Sequence, residues 1–142
     1  MVVIAAVDRT NRASKVVAEA AKIADAFETP LHVVHVLSRS RFVELELDTY
    51  NETGEAADVD EIRSTAKRYA EKAAEGIDAD YEPVGLMGDS VDRIIQHAEE
   101  ESAHYIVVGP RKRSPTGKAL FGSTAQSILL ESPVPVVTVL SE

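Results

Sequence analysis

The sequence predicts one α/β domain, a three-layer α/β/α sandwich in which helices cover both faces of a five-stranded parallel sheet. Two observations carry this prediction. Apolar, β-branched runs of strand length alternate along the chain with segments that repeat their apolar residues every three or four positions. The 142 residues are also enough to enclose a single core. In such a sheet the crossovers are right-handed, and ligands bind outside the carboxyl ends of the strands.

The first 57 residues predict a strand, a helix, a second strand and a loop. Residues 2–7 are apolar throughout, as expected for a strand that is covered on both faces, and Leu31–Leu37 is a second, mostly apolar run. Between them, the apolar residues of segment 12–28 recur three or four apart and predict an amphipathic helix. Residues 38–57 show no sustained period, so we expect a long loop there.

The middle of the chain predicts a helix followed by a more polar strand. Asp58 is expected to cap the helix, with Glu61 completing a capping box, and Gly76 is expected to end it. The strand at 81–87 carries polar residues, which predicts a position at the edge of the sheet.

The last third of the chain predicts a helix, a strand, a helix and a final strand. Asp89 or Ser90 is expected to cap a helix that leads to the strand at 104–108. A further helix is expected at 124–131. Nearly continuous aliphatic residues at 134–140 predict the fifth strand.

Charge and residue content narrow the classes of partner. Acidic residues outnumber basic ones 24 to 15, and the net charge of -9 repels nucleic acid and anionic lipid, so neither is expected as a partner. Cysteine is absent, which excludes thiol catalysis, disulfides and thiolate metal sites. The N-terminal apolar run is too short to span a bilayer and lacks the layout of a signal peptide. We therefore expect a cytoplasmic protein.

One stretch near the C-terminus departs from the acidic character of the chain. Segment 105–124 reads YIVVGPRKRSPTGKALFGST, and no aspartate or glutamate occurs from residue 102 to residue 130. A strand ends at Gly109, and a helix is expected to begin near Gly122, where unpaired amides favour an anion. The sequence therefore predicts an anion site that suits the phosphates of a nucleotide. The connecting loop carries four cations, Arg111, Lys112, Arg113 and Lys118.

Two common phosphate-binding motifs do not fit this stretch. A Walker loop would need a glycine and a serine or threonine at the positions of Lys112 and Ala119. The dinucleotide fingerprint needs glycines in the first strand–helix turn, and residues 8–11 contain none.

Neither a metal site nor a catalytic site is predicted. His32 and His35 lie three apart on a strand, so they face opposite sides and cannot share an ion; we expect His35 to be a buried, hydrogen-bonded strand residue. Gly122-Ser123 lacks the second glycine of a nucleophile elbow, because Ala125 stands there. No residue is identified as a dedicated general base. The chain is therefore expected not to be an enzyme, or at most to hydrolyse ATP slowly.

The strand ends resemble those of the universal stress protein family, and the resemblance covers nearly the whole chain. The matching segments are Val7-Asp8 at the end of the first strand, 34–36 in the second strand and 133–136 at the start of the last strand. Nucleotide-binding members of this family share a loop of the form Gly, two residues, Gly, nine residues, Gly, then Ser or Thr. This chain has that spacing with Lys112 in place of the second glycine, in the set Gly109, Lys112, Gly122 and Ser123.

The resemblance implies the strand order 3-2-1-4-5 and a regulatory or sensor protein of the stress response that binds ATP or a related adenine nucleotide. It implies that Asp8 reaches the ribose or the adenine and that Val36 lies against the adenine. The implied cofactor is ATP, with or without Mg²⁺. The nucleotide-binding residues that it implies are Ala6, Val7, Asp8, Val36, Val108, Gly109, Arg111, Lys112, Gly122, Ser123 and Thr124.

The resemblance also implies a homodimer that is formed along the last strand. An apolar edge strand is an aggregation hazard unless it is paired, and a two-fold contact would cover it. The interface residues expected are Val134, Val136, Val137, Thr138 and Leu140.

Lys112 leaves two interpretations of the loop open. If the family's second glycine has a positive φ, a lysine there strains the backbone by about 1 kcal/mol or more. If the φ is an ordinary one, the ammonium group could contact the phosphates directly. The alternative function is a nucleotide-free dimeric interaction module of the same fold that has lost the binding site. In that case the basic cluster is a solvated loop that balances an acidic surface.

Overall fold

The computed structural model of the chain describes residues 1–54, 59–109, 112–113, 116 and 119–140. Strands and helices alternate through most of these residues, as the sequence predicts. Their bounds are β1 (Val3–Ala6), α1 (Ala13–Ala26), β2 (Leu31–Leu37), α2 (Arg39–Thr53), α3 (Val59–Ala73), β3 (Glu82–Met87), α4 (Ser90–Glu100), β4 (Tyr105–Val108), β5 (Lys112–Arg113), β6 (Ala119–Leu120), α5 (Ser123–Glu131) and β7 (Val136–Thr138).

Five strands form one parallel sheet in the order β3-β2-β1-β4-β7, which confirms the predicted order 3-2-1-4-5. Val3 of β1 lies opposite Leu31 of β2 on one side and Tyr105 of β4 on the other. The carboxyl ends of β1, β2 and β4 therefore meet at one edge. The order of the strands reverses between β1 and β4, which is where sheets of this kind bind ligands.

Helices cover both faces of the sheet. On one face, α1 and α3 bury a cluster that includes Val3, Ala5 and Val107. On the other face, Ile94 and Ile128, from α4 and α5, close over a second cluster built on alternate strand residues. Because nearly every side chain of the central strands β1, β2 and β4 is buried, their apolar runs are nearly continuous.

The predicted loop at 38–57 is wrong, because residues Arg39–Thr53 form helix α2. Ser38 caps its N-terminus by accepting a hydrogen bond from the Arg41 amide at 3.3 Å. Gly54 ends it in the left-handed conformation, with φ 74°. The buried side of this helix is narrow: Phe42 and Leu45 pack against the sheet end and α3.

The outer side of α2 explains the wrong prediction. Val43, Leu47 and Tyr50 are 51%, 57% and 58% exposed. These apolar residues lie away from the core side, so the helix shows apolar residues on two faces and no single stripe appears in the sequence.

Several other predictions concern the ends of elements. The Asp89 carboxylate accepts a hydrogen bond from the Asp92 amide at 3.0 Å and caps α4, as predicted. The Asp58 cap lies outside the described residues. β7 is shorter at both ends than the predicted strand at 134–140. It begins later because Ser132 Oγ bonds both the carbonyl oxygen and the amide of Val134 and holds a turn there. β3 lies at the edge of the sheet, as its polar character predicts.

The basic stretch also contains an antiparallel ladder that the sequence did not predict. Lys112 pairs with Leu120, and Arg113 pairs with Ala119, which joins β5 to β6. Elsewhere in the described ranges, no helix combines the length and apolar character needed to cross a bilayer.

Gly85 allows α3 to lie directly on β3. A Cβ atom at this position would lie 2.5 Å from both the Arg63 carbonyl oxygen and the Lys67 amide nitrogen of α3. Both are backbone atoms, so they cannot move aside without shifting the helix. A glycine inside a strand often marks such a close backbone approach.

We predict that Gly85→Ala lowers the free energy of unfolding by about 2–3 kcal/mol, because the added methyl group forces α3 away from the sheet. The matched control is Gly54→Ala, whose methyl group meets open space and adds only the strain of a positive φ, about 1 kcal/mol. Urea unfolding of both variants measures the difference. Equal losses would contradict the close packing at Gly85.

Candidate functional site

A cavity of about 300 Å³ opens at the carboxyl edge of the sheet, beside the point where the strand order reverses. This volume is at the lower end of the range for small-molecule sites. Arg111 lies outside the described residues, and Lys112 belongs to β5. The structure brings the other nine predicted nucleotide-binding residues together around the cavity: Ala6, Val7, Asp8, Val36, Val108, Gly109, Gly122, Ser123 and Thr124.

Asp8 already has a structural role at the end of β1. Its Oδ1 accepts hydrogen bonds from the Thr10 amide at 2.9 Å and from the Thr10 hydroxyl at 2.6 Å. These bonds hold the turn that leads from β1 to α1. A ligand hydroxyl at this position would therefore have to use Oδ2.

His35 forms part of the cavity wall at the end of β2. It is 7% exposed, and its Nδ1–H donates to the Val7 carbonyl at 2.9 Å, which confirms the predicted buried and hydrogen-bonded strand residue. Burial lowers the pKa of His35 below its ordinary value of 6.5, and the Arg9 cation lowers it further. The hydrogen bond to Val7 and the Asp8 carboxylate oppose this shift. The ring is therefore neutral at pH 7.

Tyr69 of α3 ties the helices to this end of the sheet. Its ring meets His35 edge-on at 5.1 Å, and the Arg9 guanidinium lies 5.7 Å from the centre of the ring. Hydrogen bonding from Arg41 of α2, with a smaller effect from Arg9, lowers the pKa of Tyr69. Arg41 also pairs with Glu44 at 2.8 Å. Contacts between β2, α2 and α3 therefore fix the cavity wall around His35.

Gly109, at the end of β4, is required by packing. A Cβ atom there would lie 2.7 Å from Cγ2 of Val16 in α1. This contact explains the glycine whether or not a ligand is bound.

The N-terminus of α5 forms the opposite wall. Gly122 is its N-cap and has no side chain that could bond the amides of the first turn. Ser123 and Thr124 are exposed, and the first turn contains no acidic residue. Free amides and the positive end of the helix dipole make this wall suitable for an anion.

Several residues that line the cavity were not predicted from the sequence. Among the lining residues that the structure describes, Arg12 at the N-terminus of α1 is the one that carries a cationic side chain. Ser90 and Ile94 come from α4, and Ile128 comes from α5. In the sequence, the two isoleucines belong to ordinary helical stripes and the others to helix starts. No local motif indicates that they meet.

A second cavity of about 650 Å³ adjoins the first and shares Ser90, Ser123 and Thr124 with it. Its other walls are residues 38–40 at the start of α2, residues 88–92 at the start of α4, and Ser127. The helix that the sequence did not predict therefore supplies one wall. Five serine hydroxyls and one threonine hydroxyl make this cavity polar.

A histidine pair lies on the opposite face of β2 from His35. His32 Nδ1 and His97 Nε2 are 3.0 Å apart, and His32 Nε2 lies 3.0 Å from the Glu82 carboxylate. Burial and the neighbouring His32 lower the pKa of His97. The sequence did not predict that His32 and His97 meet. Within the described ranges, no group of three or more histidines, aspartates and glutamates is arranged to hold a metal ion.

We predict that the domain loses stability as the pH falls below about 6.5. His35 and His97 have lowered pKa values in the folded state, so below that pH the unfolded chain binds more protons than the folded one. The stability that the two neutral histidines contribute is complete above the histidine pKa of the unfolded chain. It declines as the pH falls towards the folded pKa of each histidine. For each histidine the slope reaches about 1.4 kcal/mol per pH unit. Urea unfolding at a series of pH values measures it.

The control for this prediction is the double variant His35→Gln, His97→Gln, because glutamine can still donate to the Val7 carbonyl but does not titrate. Its stability should depend less on pH between about 7.5 and 5. An unchanged pH dependence in the double variant would show that other groups cause it.

Known proteins resemble this chain in sequence and in fold. Over 58 residues it is 41% identical to a universal stress protein from Mycolicibacterium smegmatis, a stretch that covers 41% of this chain and 43% of that protein. The match thus spans less than half the length of this curated relative. The structure of a universal stress protein from Archaeoglobus fulgidus is 32% identical, with 96% of each chain covered and a TM-score of 0.60.

A further solved structure, the universal stress protein from Archaeoglobus fulgidus in complex with dAMP, is 26% identical to this chain. The match covers 96% of this chain and 94% of the other, with a TM-score of 0.55. The model of the universal stress protein family matches residues 1–139, which is nearly the whole chain. The chain therefore belongs to the universal stress protein family.

Proposed function

We propose that this protein binds an adenine nucleotide, with ATP as the expected ligand, and acts as a sensor or regulator in the stress response. The observation that carries this proposal is the cavity itself. It gathers the carboxyl ends of β1, β2 and β4 and the N-terminus of α5 at the point where the strand order reverses. This is the place where open α/β sheets bind nucleotides.

In this proposal the two walls divide the ligand between them. The apolar side chains of Val36, Ile94 and Val108 accept the adenine, and Asp8 binds the ribose through Oδ2. The amides of residues 122–124 donate to the phosphates. The related protein from Archaeoglobus fulgidus, whose structure was solved in complex with dAMP, supports an adenine nucleotide as the ligand.

Binding without rapid turnover is part of the proposal. His35 is a neutral base in the cavity wall, but its Nδ1–H donates to the Val7 carbonyl and its pKa is lowered. Phosphate release from ATP, measured on the purified protein, tests the expectation of slow hydrolysis at most. A role for Mg²⁺ is tested by repeating the binding experiment with EDTA.

A second candidate is a nucleotide-free interaction module, and Lys112 is the observation that favours it. Lys112 stands where nucleotide-binding members of the family have glycine. If it has closed the site, Lys112→Gly should strengthen nucleotide binding or restore it. If it contributes a charge to the phosphates, the same variant should weaken binding.

We predict that isothermal titration with ATP and Mg²⁺ gives a saturable heat, and that Ser123→Glu weakens binding at least tenfold. The carboxylate would lie at the phosphate end of the cavity, where it repels the ligand. It also suits the positive end of the α5 dipole, so the unfolding midpoint should not fall.

The matched control is Ser123→Gln, which has the same size as glutamate without its charge. It should retain more affinity than Ser123→Glu. Equal losses would mean that bulk at residue 123, and not charge, excludes the ligand. No heat at millimolar nucleotide with the folded wild-type protein would reject nucleotide binding.

A homodimer along β7 is the second part of the proposal. β7 is an edge strand of the sheet, and Leu140, just beyond it, is 54% exposed. Pro135 and Val139 bond the backbone of β4, so by alternation Val137 also faces β4. The backbone groups of Val136 and Thr138 then point to the open edge. A second copy of the chain could pair with them around a two-fold axis.

We predict that Thr138→Pro gives monomers, because proline removes an amide at the open edge and leaves the bonds to β4 intact. Thr138→Ser keeps the amide and should remain dimeric. Light scattering of both variants, with circular dichroism to verify folding, measures the result. A dimeric Thr138→Pro protein would place the interface elsewhere. Val137→Pro is the poorer test, since it removes a bond inside the sheet.

A further inference from the structure

We propose that Arg12 binds a phosphate oxygen of the ligand and makes the site selective for nucleotides over nucleosides. The proposal rests on the proposed nucleotide-binding function and adds a residue that the glycine-loop motif does not contain. It starts from the position of Arg12 at the N-terminus of α1, where the residue lines the same cavity as residues 122–124.

The Arg12 side chain has an unsatisfied hydrogen-bond donor in the described part of the chain. Its Nε–H is buried and has no hydrogen-bond acceptor in the described part of the chain. A guanidinium group cannot lose its proton at neutral pH, so it cannot relieve this state by becoming neutral. A buried donor without an acceptor costs free energy, and for a charged group the cost is larger. Arg12 as a whole is only partly buried and lines the cavity, so a ligand bound there can supply an acceptor to its guanidinium group.

The neighbouring carboxylate does not fill this role. Asp8 is the acidic residue closest in sequence to Arg12 and lines the same cavity, but its Oδ1 is held by the amide and hydroxyl of Thr10. Among the ion pairs in the described ranges, none joins Asp8 to Arg12. Arg12 therefore has no direct carboxylate partner among the described residues of the cavity.

The chemistry of the cavity favours a phosphate as the acceptor. Arg12 lies on one side, and the first turn of α5, which has no acidic residue, lies on another. The amides of a helix N-terminus and a planar guanidinium fork both suit the tetrahedral oxygens of a phosphate group. The adenosine part of the ligand offers only neutral groups, so Arg12 would distinguish a nucleotide from a nucleoside.

Arg9 provides a matched control three residues away. It carries the same charge, but its guanidinium lies over the ring of Tyr69, and it is not among the residues that line the cavity. Arg9→Gln and Arg12→Gln change the net charge of the protein equally. A difference between them therefore reports contact with the ligand and not the overall field of the protein.

The test is isothermal titration of the full chain with AMP and with adenosine. We expect the wild-type protein to bind AMP more tightly than adenosine. Arg12→Gln should weaken AMP binding roughly tenfold to a hundredfold, the usual loss for a charged hydrogen bond, and leave adenosine binding unchanged. Arg9→Gln should bind both ligands like the wild type. Arg12→Lys should lie between, because it keeps the charge without the fork.

A second measurement concerns the protein without ligand. If Arg12 has no partner in the free chain, Arg12→Gln should leave the thermal midpoint unchanged or raise it. A fall of several degrees would show that Arg12 is held by the protein itself and would overturn the inference.

The titrations separate the two proposals. If the wild-type protein binds AMP and Arg12→Gln binds it equally well, the role of Arg12 is wrong and the nucleotide site stands. If the folded wild-type protein binds neither AMP nor adenosine, the proposed function fails and the inference fails with it.

Discussion

The parallel pairing of β1 with β2 on one side and β4 on the other is the constraint on which the rest of the structure depends. Val3, Ile4 and Ala5 of β1 are completely buried by these neighbours and by the helices on the two faces. Because β1 is paired in parallel on both sides, its carboxyl end reaches the same edge of the sheet as theirs, although β2 continues to Leu37, beyond Val34, the partner of Ala6. The chain leaves β1 for a helix on one face and reaches α5 on the other. The helices separate at this edge, and the cavity is the space between them.

The parts of the fold that the sequence predicted are those in which a single segment carries its own pattern. β2 shows its burial on both faces as an apolar run, and Asp89 marks the start of α4. α2 could not be found in this way, because Val43, Leu47 and Tyr50 are apolar and exposed. The site residues at strand ends were predicted through the resemblance to the family, and they lie at the edge where parallel sheets bind ligands. Arg12 was not predicted, because no local pattern shows which helix N-termini from distant parts of the sequence line the same cavity.

The residues of the family motif are not equally informative about a ligand. Asp8 holds a turn through Thr10, and Gly109 makes room for Val16, so the fold requires both without any ligand. Residues whose side chains form no hydrogen bond within the described structure are stronger evidence for a ligand. In the described structure no side-chain hydrogen bond is found for Ser123 or for the Nε–H of Arg12, and both residues line one cavity. The case for an anion site therefore rests more on them than on the glycines by which the family is identified.

The net charge of the chain and the charge at the site have opposite signs. A net charge of -9 surrounds the site with a field that opposes anions, yet residues 102–130 contain no acid. The α5 amides and the Arg12 guanidinium then act at short range in a cavity that partly excludes water, where screening is weak. Such a site has a cost in the free protein, because the Nε–H of Arg12 is buried and lacks an acceptor among the described residues. The first amides of α5 lack intrahelical acceptors as well. A phosphate would supply those acceptors, so ligand binding and the stability of the fold are coupled at this edge of the sheet.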